Sequence, residues 1–489
     1  MQQRDDKKNN TVPDESRRRF VRNAGIAAAG FFIVPRHVLG GKGYVAPSDK
    51  LLIAGIGAGG KGGDDINQFA KSPNAEIAFL CDVDDRQAAN LRKKYPKAKY
   101  YKDWRVLYEK EHKNFDAVSV GTPDHNHAII AFHAMQLKKH VYVQKPLTHD
   151  IYEARILTEA AEKYKVVNQM GDQGSSHDGL RLMKEWYEAG IIGDVHTVYC
   201  WTDRPVWPQG IPWPEKKAAI PSGLDWDLWL GTAEKHDYIE NLVPFNWRGW
   251  WDFGTGALGD MGTHLIGPVF KILDLGYPTN VHATASTIYS GIFQEAYYPE
   301  SGPVSSSLYF NYKLKNGNNI KLVWMDGGIQ PERPEELKPN EVMGGGGNGA
   351  LLIGTKGKMT CDIYGSNPQL LPTKLTNETK VEQKYPRVPG SYTGHYVQWV
   401  DACRAGYENA NVSSPFKGYA GPLTESVLMG NLALLSFNFR EKKNDGGFKY
   451  PGRGITLEWD AEKMRVTNFD PANQFIRRKY RQGWPELKM

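Results

Sequence analysis

The segment KLLIAGIGAGGKGGDDINQF, residues 50 to 69, constrains the fold more than any other part of the 489-residue chain. An apolar run, Leu51 to Ala54, enters a turn that carries Gly55, Gly57 and Gly60 in a G-x-G-x-x-G pattern. Glycines so spaced let a strand turn tightly into a helix and let the backbone approach a pyrophosphate at the helix N-terminus. The pattern alone is weak, and its context decides. A second strand-like run, Glu76 to Leu80, ends at Cys81 and Asp82, and Asp82 follows Gly60 by 22 residues. An acid at about 20 residues accepts hydrogen bonds from ribose hydroxyls and repels a 2′-phosphate. The segment therefore reads as a dinucleotide-binding unit with NAD favoured over NADP, and the nearby Arg86 argues the other way.

Two further alternations of strand and amphipathic helix follow. FDAVSVGTPDHNHA contains a strand from Ala117 to Val120, and KKHVYVQKPL another from His140 to Gln144. This rhythm predicts a doubly wound parallel sheet, an α/β Rossmann domain whose ligands sit beyond the carboxyl ends of the strands. Thr122, Pro123, His125, His127, Gln144 and Lys145 all fall at that edge and are expected to line the cofactor cleft. His125 and His127 alternate as metal ligands can, but no further ligands accompany them, so no metal is assigned. Lys145, fixed by Pro146, can hold its ammonium against a substrate hydroxyl.

The pattern changes after VVNQMGDQGSS, which contributes Gln173. Eight of the fourteen tryptophans lie between Trp201 and Trp251. Core packing accounts for most of any such cluster, while Trp247, Arg248 and Trp251 in NWRGWWDFG are, with Gln173, the candidates for substrate contact. From Ala257 onward Leu258, Met261, Leu265, Val269 and Ile272 recur at helical spacing, with Pro268 warning of an early interruption. Asp260 and His264, four apart, share a face of that helix. Oxidising an alcohol sends a hydride to an acceptor and a proton to a base, and an imidazole titrates in the right range to be that base. Lys145 would then hydrogen-bond the reacting oxygen, and Asp260 would orient the imidazole or bind a neighbouring hydroxyl. SSSLYFNYKL and NIKLVWMDGG read as strands of an open, largely antiparallel sheet. MGGGGNGALLIGTKGKMTCD lacks the Gly-Lys-Ser/Thr of a P-loop and reads as a mobile loop before a hairpin.

The other end of the chain carries a different message. SRRRFVRNAG, residues 16 to 25, followed by an apolar run from Ala24 to Val34, reads as a twin-arginine export signal spanning 1–46, possible also as an uncleaved anchor. That run is too short to span a bilayer. Residues 1–48 hold nine basic and four acidic side chains, leaving 52 against 51 in the rest, so net charge gives no support to a nucleic-acid partner. Cys81, Cys200, Cys361 and Cys403 lie far apart and suggest neither a zinc site nor a disulfide framework beyond one bridge.

GIGAGG, CDVD, TPDHNHA, VYVQKPLTH, GLDWDLWLG, WRGWWDFGTGALGDMGTH, GPLTESVLMGNLAL and LEWDAEKMRVTN together resemble the Gfo/Idh/MocA oxidoreductase family, here as a secreted member. The resemblance implies a Rossmann domain, over 47–170, and a C-terminal α/β domain, over 171–489, with an open sheet that lines the substrate site and often mediates homo-oligomers. It also implies bound NAD or NADP and catalytic roles for Lys145, Asp260 and His264. Two positions depart from the family pattern: Gln144 replaces the usual glutamate before Lys-Pro, and Gly267 stands where relatives often carry an acid. Export has its own consequence, since no free NAD pool is expected outside the cytoplasm. The cofactor would be folded in, held tightly and regenerated in place. The expected function is a periplasmic oxidoreductase of a sugar or glycoside hydroxyl, with C3 the ring position considered, exported by the twin-arginine machinery. The alternatives are a glycoside hydrolase or lyase working through transient oxidation and a sugar-binding protein without turnover.

Overall fold

In the computed structural model, which describes residues 49–489, six strands form the first sheet. They are β1 (Leu51–Ile56), β2 (Ala75–Cys81), β3 (Lys99–Tyr101), β4 (Ala117–Val120), β5 (His140–Gln144) and β6 (Asn168–Gly171). Every pairing is parallel and the order is β3-β2-β1-β4-β5-β6. β4 is buried along its whole length, as a strand covered by helices on both faces must be. The order reverses between β1 and β4, so their carboxyl ends diverge and open a crevice. Asp84 and Asp103 cap helices Asp85–Lys94 and Trp104–Glu111, and Asp150 with Glu153 makes a capping box at Ile151–Tyr164. The proposed signal segment, 1–46, lies outside the described residues.

The second sheet is built on β7 (Val195–Trp201) and β8 (Asn280–Ala285). After a small ribbon of β9 (Tyr289–Gly291) and β10 (Gln294–Glu295) it continues with β11 (Ser306–Lys313), β12 (Asn319–Met325), β13 (Gly349–Gly354), β14 (Lys358–Cys361) and β15 (Gln369–Leu371). A second ribbon, β16 (Glu441–Lys442) with β17 (Phe448–Lys449), precedes β18 (Thr456–Asp460) and β19 (Arg465–Val466). The nine-stranded order is β15-β14-β13-β7-β12-β11-β8-β18-β19, antiparallel throughout except β7 with β12. The glycine-rich run before β13 leads into the β13–β14 hairpin, as its composition predicts. All four cysteines are buried free thiols.

Helix Gly256–Ile272 does not stop at Pro268. Proline removes the donor for one carbonyl, a loss of about 3 kcal/mol in a helix interior. Burial of nearly every other residue of this helix outweighs it, because Leu258, Met261, Leu265 and Val269 share one continuous core with Val120 of the first sheet and Leu308 of the second. The helix is thereby held against both sheets, with its N-terminal half at the crevice.

Candidate active site

The glycine-rich turn shapes one end of a cleft of about 560 Å³. Gly57 has φ +84°, and a Cβ there would lie 2.5 Å from the Gly121 carbonyl oxygen. Gly60 also has positive φ and faces open space. Gly55 does not reach the cleft: a Cβ on it would meet Ile66 Cδ1 at 2.4 Å, so its part is to let helix Gly60–Phe69 pack on β1. Gly62 shares that work, since its Cβ would fall 2.1 Å from the Gly57 carbonyl oxygen. Asp82 accepts from the N–H groups of Ala58, at 2.8 Å, and Asp84, at 2.9 Å, tying the turn to the end of β2. Burial pushes its carboxyl up to about 6.

Arg86 turns away from the cleft, donating to both oxygens of Asp84, at 2.8 Å from Nε and 2.6 Å from Nη2. Its charge is committed to that pair. Arg86→Ala is accordingly expected to leave the preference for NAD over NADP unchanged within about twofold, checked by titrating the cofactor-free protein with each dinucleotide. A shift toward NAD would make Arg86 a phosphate ligand after all.

Thr122, Pro123 and His127 line the cleft, and Thr122 Oγ1 is buried without a hydrogen-bond partner. His127 bonds the carbonyl oxygens of Pro146, at 2.9 Å, and Thr122, at 2.8 Å, and so pins the turn that carries Lys145. His125 departs from expectation. Its ring nitrogens face the carbonyls of Phe253 and Trp229, at 3.2 and 3.0 Å, outside the cleft, and burial takes its pKa down to about 3. It is a neutral histidine joining the crevice loop to the tryptophan-rich segment. The backbone cradle, the half-buried Asp82 and the orphaned Thr122 hydroxyl fit a dinucleotide laid across the switch point.

Lys145 and His264 line the same cleft, near enough for the lysine charge to act on the imidazole. Lys145 Nζ donates to Asp260 Oδ1, at 2.9 Å, and to the Asp260 carbonyl, at 2.8 Å. Arg248 Nε donates to the same Oδ1 at 3.1 Å. Burial opposes charge on Asp260, yet Lys145 and Arg248 hold its carboxyl well below the usual range. Asp260 therefore anchors the two cations, both through Oδ1, and makes no hydrogen bond to the imidazole. The carboxylate facing His264 is Asp172, its Oδ1 at 3.5 Å from Nδ1. Burial, then the Lys145 charge, lower the pKa of His264, favouring the neutral base.

Gln173, Trp247 and Arg248 line the cleft, whereas Trp251 does not. The Trp251 ring packs over Gly256 and Gly302, at 3.5 and 3.4 Å from where Cβ atoms would stand. Six tryptophans of the cluster are buried, with Trp226 and Trp229 stacked at 4.9 Å, and Trp207 and Trp229 join Trp247 on the cleft wall. Gln144 donates to the buried Asp65 at 2.5 Å, and Lys61 Nζ reaches Asp65 at 2.7 Å and Tyr396 Oη at 2.8 Å. A glutamate at 144 would set two carboxylates against each other, so the amide suits this network. Tyr364 and Tyr392 also line the cleft, and Tyr364 holds a φ of +67°, a left-handed backbone uncommon for an aromatic residue. Lys61 sits in the quoted glycine-rich segment, but no spacing rule marks Asp172, Tyr364 or Tyr392.

A model described as the oxidoreductase family, NAD-binding Rossmann fold, matches residues 51–172, and that family's C-terminal alpha/beta domain matches 195–290. The chain is thus similar to the Gfo/Idh/MocA family over these two segments. Its Rossmann half is an NAD-binding domain. Among curated members, the chain is 25% identical over 239 residues to glycosyl hydrolase family 109 protein 1 of Bacteroides fragilis, covering 46% of this chain and 44% of that one. It is 24% identical to levoglucosan dehydrogenase of Pseudarthrobacter phenanthrenivorans, covering 38% and 40%. The chain thus spans less than half the length of these two relatives. The solved levoglucosan dehydrogenase in complex with NADH and L-sorbose superposes with a TM-score of 0.52 at 17% identity, covering 79% of this chain and 98% of that one, which shows a shared fold.

Proposed function

We propose that the protein is an NAD-dependent oxidoreductase of a sugar or glycoside hydroxyl, C3 being the position considered first, with the dinucleotide held as a prosthetic group in an exported enzyme. The observation that carries this reading is the convergence of Lys145, Asp260 and His264 in the cleft that the glycine turn and Asp82 also line. A bound NAD supplies the hydride acceptor. Lys145 donates a hydrogen bond to the reacting oxygen and favours its alkoxide character, and its own position is held by Asp260. His264, neutral because it is buried, takes the hydroxyl proton. Trp207, Trp229 and Trp247 offer flat apolar faces to the C–H face of a sugar. Tyr364 and Tyr392, from outside the first sheet, share the cleft with the glycine turn, which supports slow release of the dinucleotide. Export by a twin-arginine route rests on SRRRFVRNAG and suits an enzyme that carries its cofactor with it.

A second reading keeps the same groups and ends in bond cleavage. Oxidation at C3 acidifies the C2 proton, a base removes it as the protonated aglycone leaves C1, water adds across C1 and C2, and the hydride returns to C3. The glycosyl hydrolase name of the Bacteroides fragilis relative favours it. Mass spectrometry of the cofactor released on denaturation, followed by glucose and aryl glucosides as probes, tests both. A keto-sugar with reduced cofactor is the expected outcome. Aglycone release with the cofactor unchanged supports the second reading, and protein that neither carries nor binds NAD(H) overturns both.

A further inference from the structure

We infer that Asp172, from the segment after β6, is the positioning acid for His264, and that Gly267 is glycine because this carboxylate and its tyrosine occupy the space beside it. The inference deepens the proposed function and rests on His264 being the base.

Asp172 is 1% exposed and His264 4% exposed, so their facing atoms have no water to turn to. Asp172 Oδ1 and His264 Nδ1 are both buried without a hydrogen-bond partner, and they stand 3.5 Å apart. A small rotation of either side chain closes that distance to a hydrogen bond. The other oxygen, Oδ2, accepts from the buried Tyr419 hydroxyl at 2.7 Å, which fixes the plane of the carboxylate. Tyr419 is held in turn by the Lys271 ammonium, 4.3 Å above its ring. Gly267, one turn beyond His264, completes the arrangement: a Cβ there would lie 2.7 Å from Tyr419 Oη and 3.5 Å from Asp172 Oδ2. The helix thus carries no acid on the turn after its histidine, and an acid arrives in that space from another element.

The chemical consequence is a choice of tautomer. With Asp172 accepting from Nδ1–H, the lone pair of the neutral ring is on Nε2, the nitrogen left free to take the substrate proton. On proton transfer the ring becomes an imidazolium with a carboxylate beside it. Asp260 cannot serve this way, being engaged by Lys145 and Arg248.

The test uses holoenzyme labelled with ¹⁵N-histidine, in wild type, Asp172→Asn, Asp172→Ala, Tyr419→Phe and the double variant Asp172→Ala with Gly267→Asp. The ring-nitrogen shifts of His264 in wild type are expected to report the Nδ1–H tautomer, and in Asp172→Asn a mixed or reversed tautomer with a lower imidazole pKa. With aryl glucosides as the probe, hydride transfer in Asp172→Asn is expected to fall about 100-fold in kcat with KM and bound NAD little changed, in keeping with the loss of a well-set base. Tyr419→Phe falls less. The double variant, which returns an acid to the helix, is expected to recover at least about tenfold over Asp172→Ala alone. An unchanged tautomer and imidazole pKa in Asp172→Asn overturns the inference, whatever happens to turnover. Wild-type protein inactive on every sugar, yet showing the tautomer change, keeps the inference about the histidine and removes the reading of function.

Discussion

His264→Ala is expected to lower hydride transfer from substrate by about 10²- to 10⁴-fold, the usual contribution of a positioned general base. The nicotinamide dinucleotide should stay bound, because its proposed cradle, Gly57, Asp82 and Thr122, does not include His264. Single-turnover absorbance of the bound cofactor after mixing with substrate measures the step directly. The wild-type pH profile carries a matching signature. His264 is pushed below its ordinary value of 6.5, by burial and then by Lys145, so the neutral form persists to lower pH. Its acid limb, where protonation removes the base, is expected below pH 6.5, with the rate level above it until another group titrates. A limb above 6.5, or an alanine variant as fast as wild type, rejects His264 as the base. Lys145 stands in the same relation to the reacting oxygen, but its removal also leaves the half-buried Asp260 carboxylate with Arg248 as its remaining cationic partner. His264 is for that reason the cleaner test.

Gly62→Val is expected to yield protein that cannot hold NAD and is less stable by about 1–3 kcal/mol or more, the range for forcing atoms into a packed core. The contact is backbone against backbone. A Cβ on Gly62 would stand 2.1 Å from the Gly57 carbonyl oxygen and 3.0 Å from that of Gly121, with no flexible side chain able to yield. Helix Gly60–Phe69 must then lift from β1 and β4, carrying the anion-binding N–H groups out of register with the turn. Thermal unfolding and the cofactor content of purified protein give the two readouts. A variant that melts as wild type with stoichiometric cofactor would mean the close approach is not needed.

Much of the first sheet was legible because its signals are local. The strand Ala117–Val120 and the strand His140–Gln144 appear at their expected residues, since a buried parallel strand writes itself as an uninterrupted apolar run. The glycine turn and Asp82 sit where their spacing puts them. Lys145, Asp260 and His264 do come together, with Asp260 bound to the lysine and not to the histidine. The failures share a cause. His125 and Trp251 have residue types common in sites, yet their faces are claimed by carbonyls and glycines distant in sequence. Pro268 breaks helices in isolation and is tolerated where the helix is buried on nearly every side.

By itself the sequence determined the parallel nucleotide-binding sheet, the cradle at Gly57 and Asp82, and the presence of a lysine and a histidine able to move a proton. Backbone geometry over a few residues, and the period of apolar side chains, are enough to dictate those features. Only the tertiary structure decided which carboxylate serves which cation. Asp172, Asp260 and Asp65 are chemically alike in the chain, and they differ in what burial sets against them: His264 and Tyr419, Lys145 and Arg248, Lys61 and Gln144. Charges far apart in sequence are paired by packing, because a buried carboxylate without a partner is too costly for the folded state to keep.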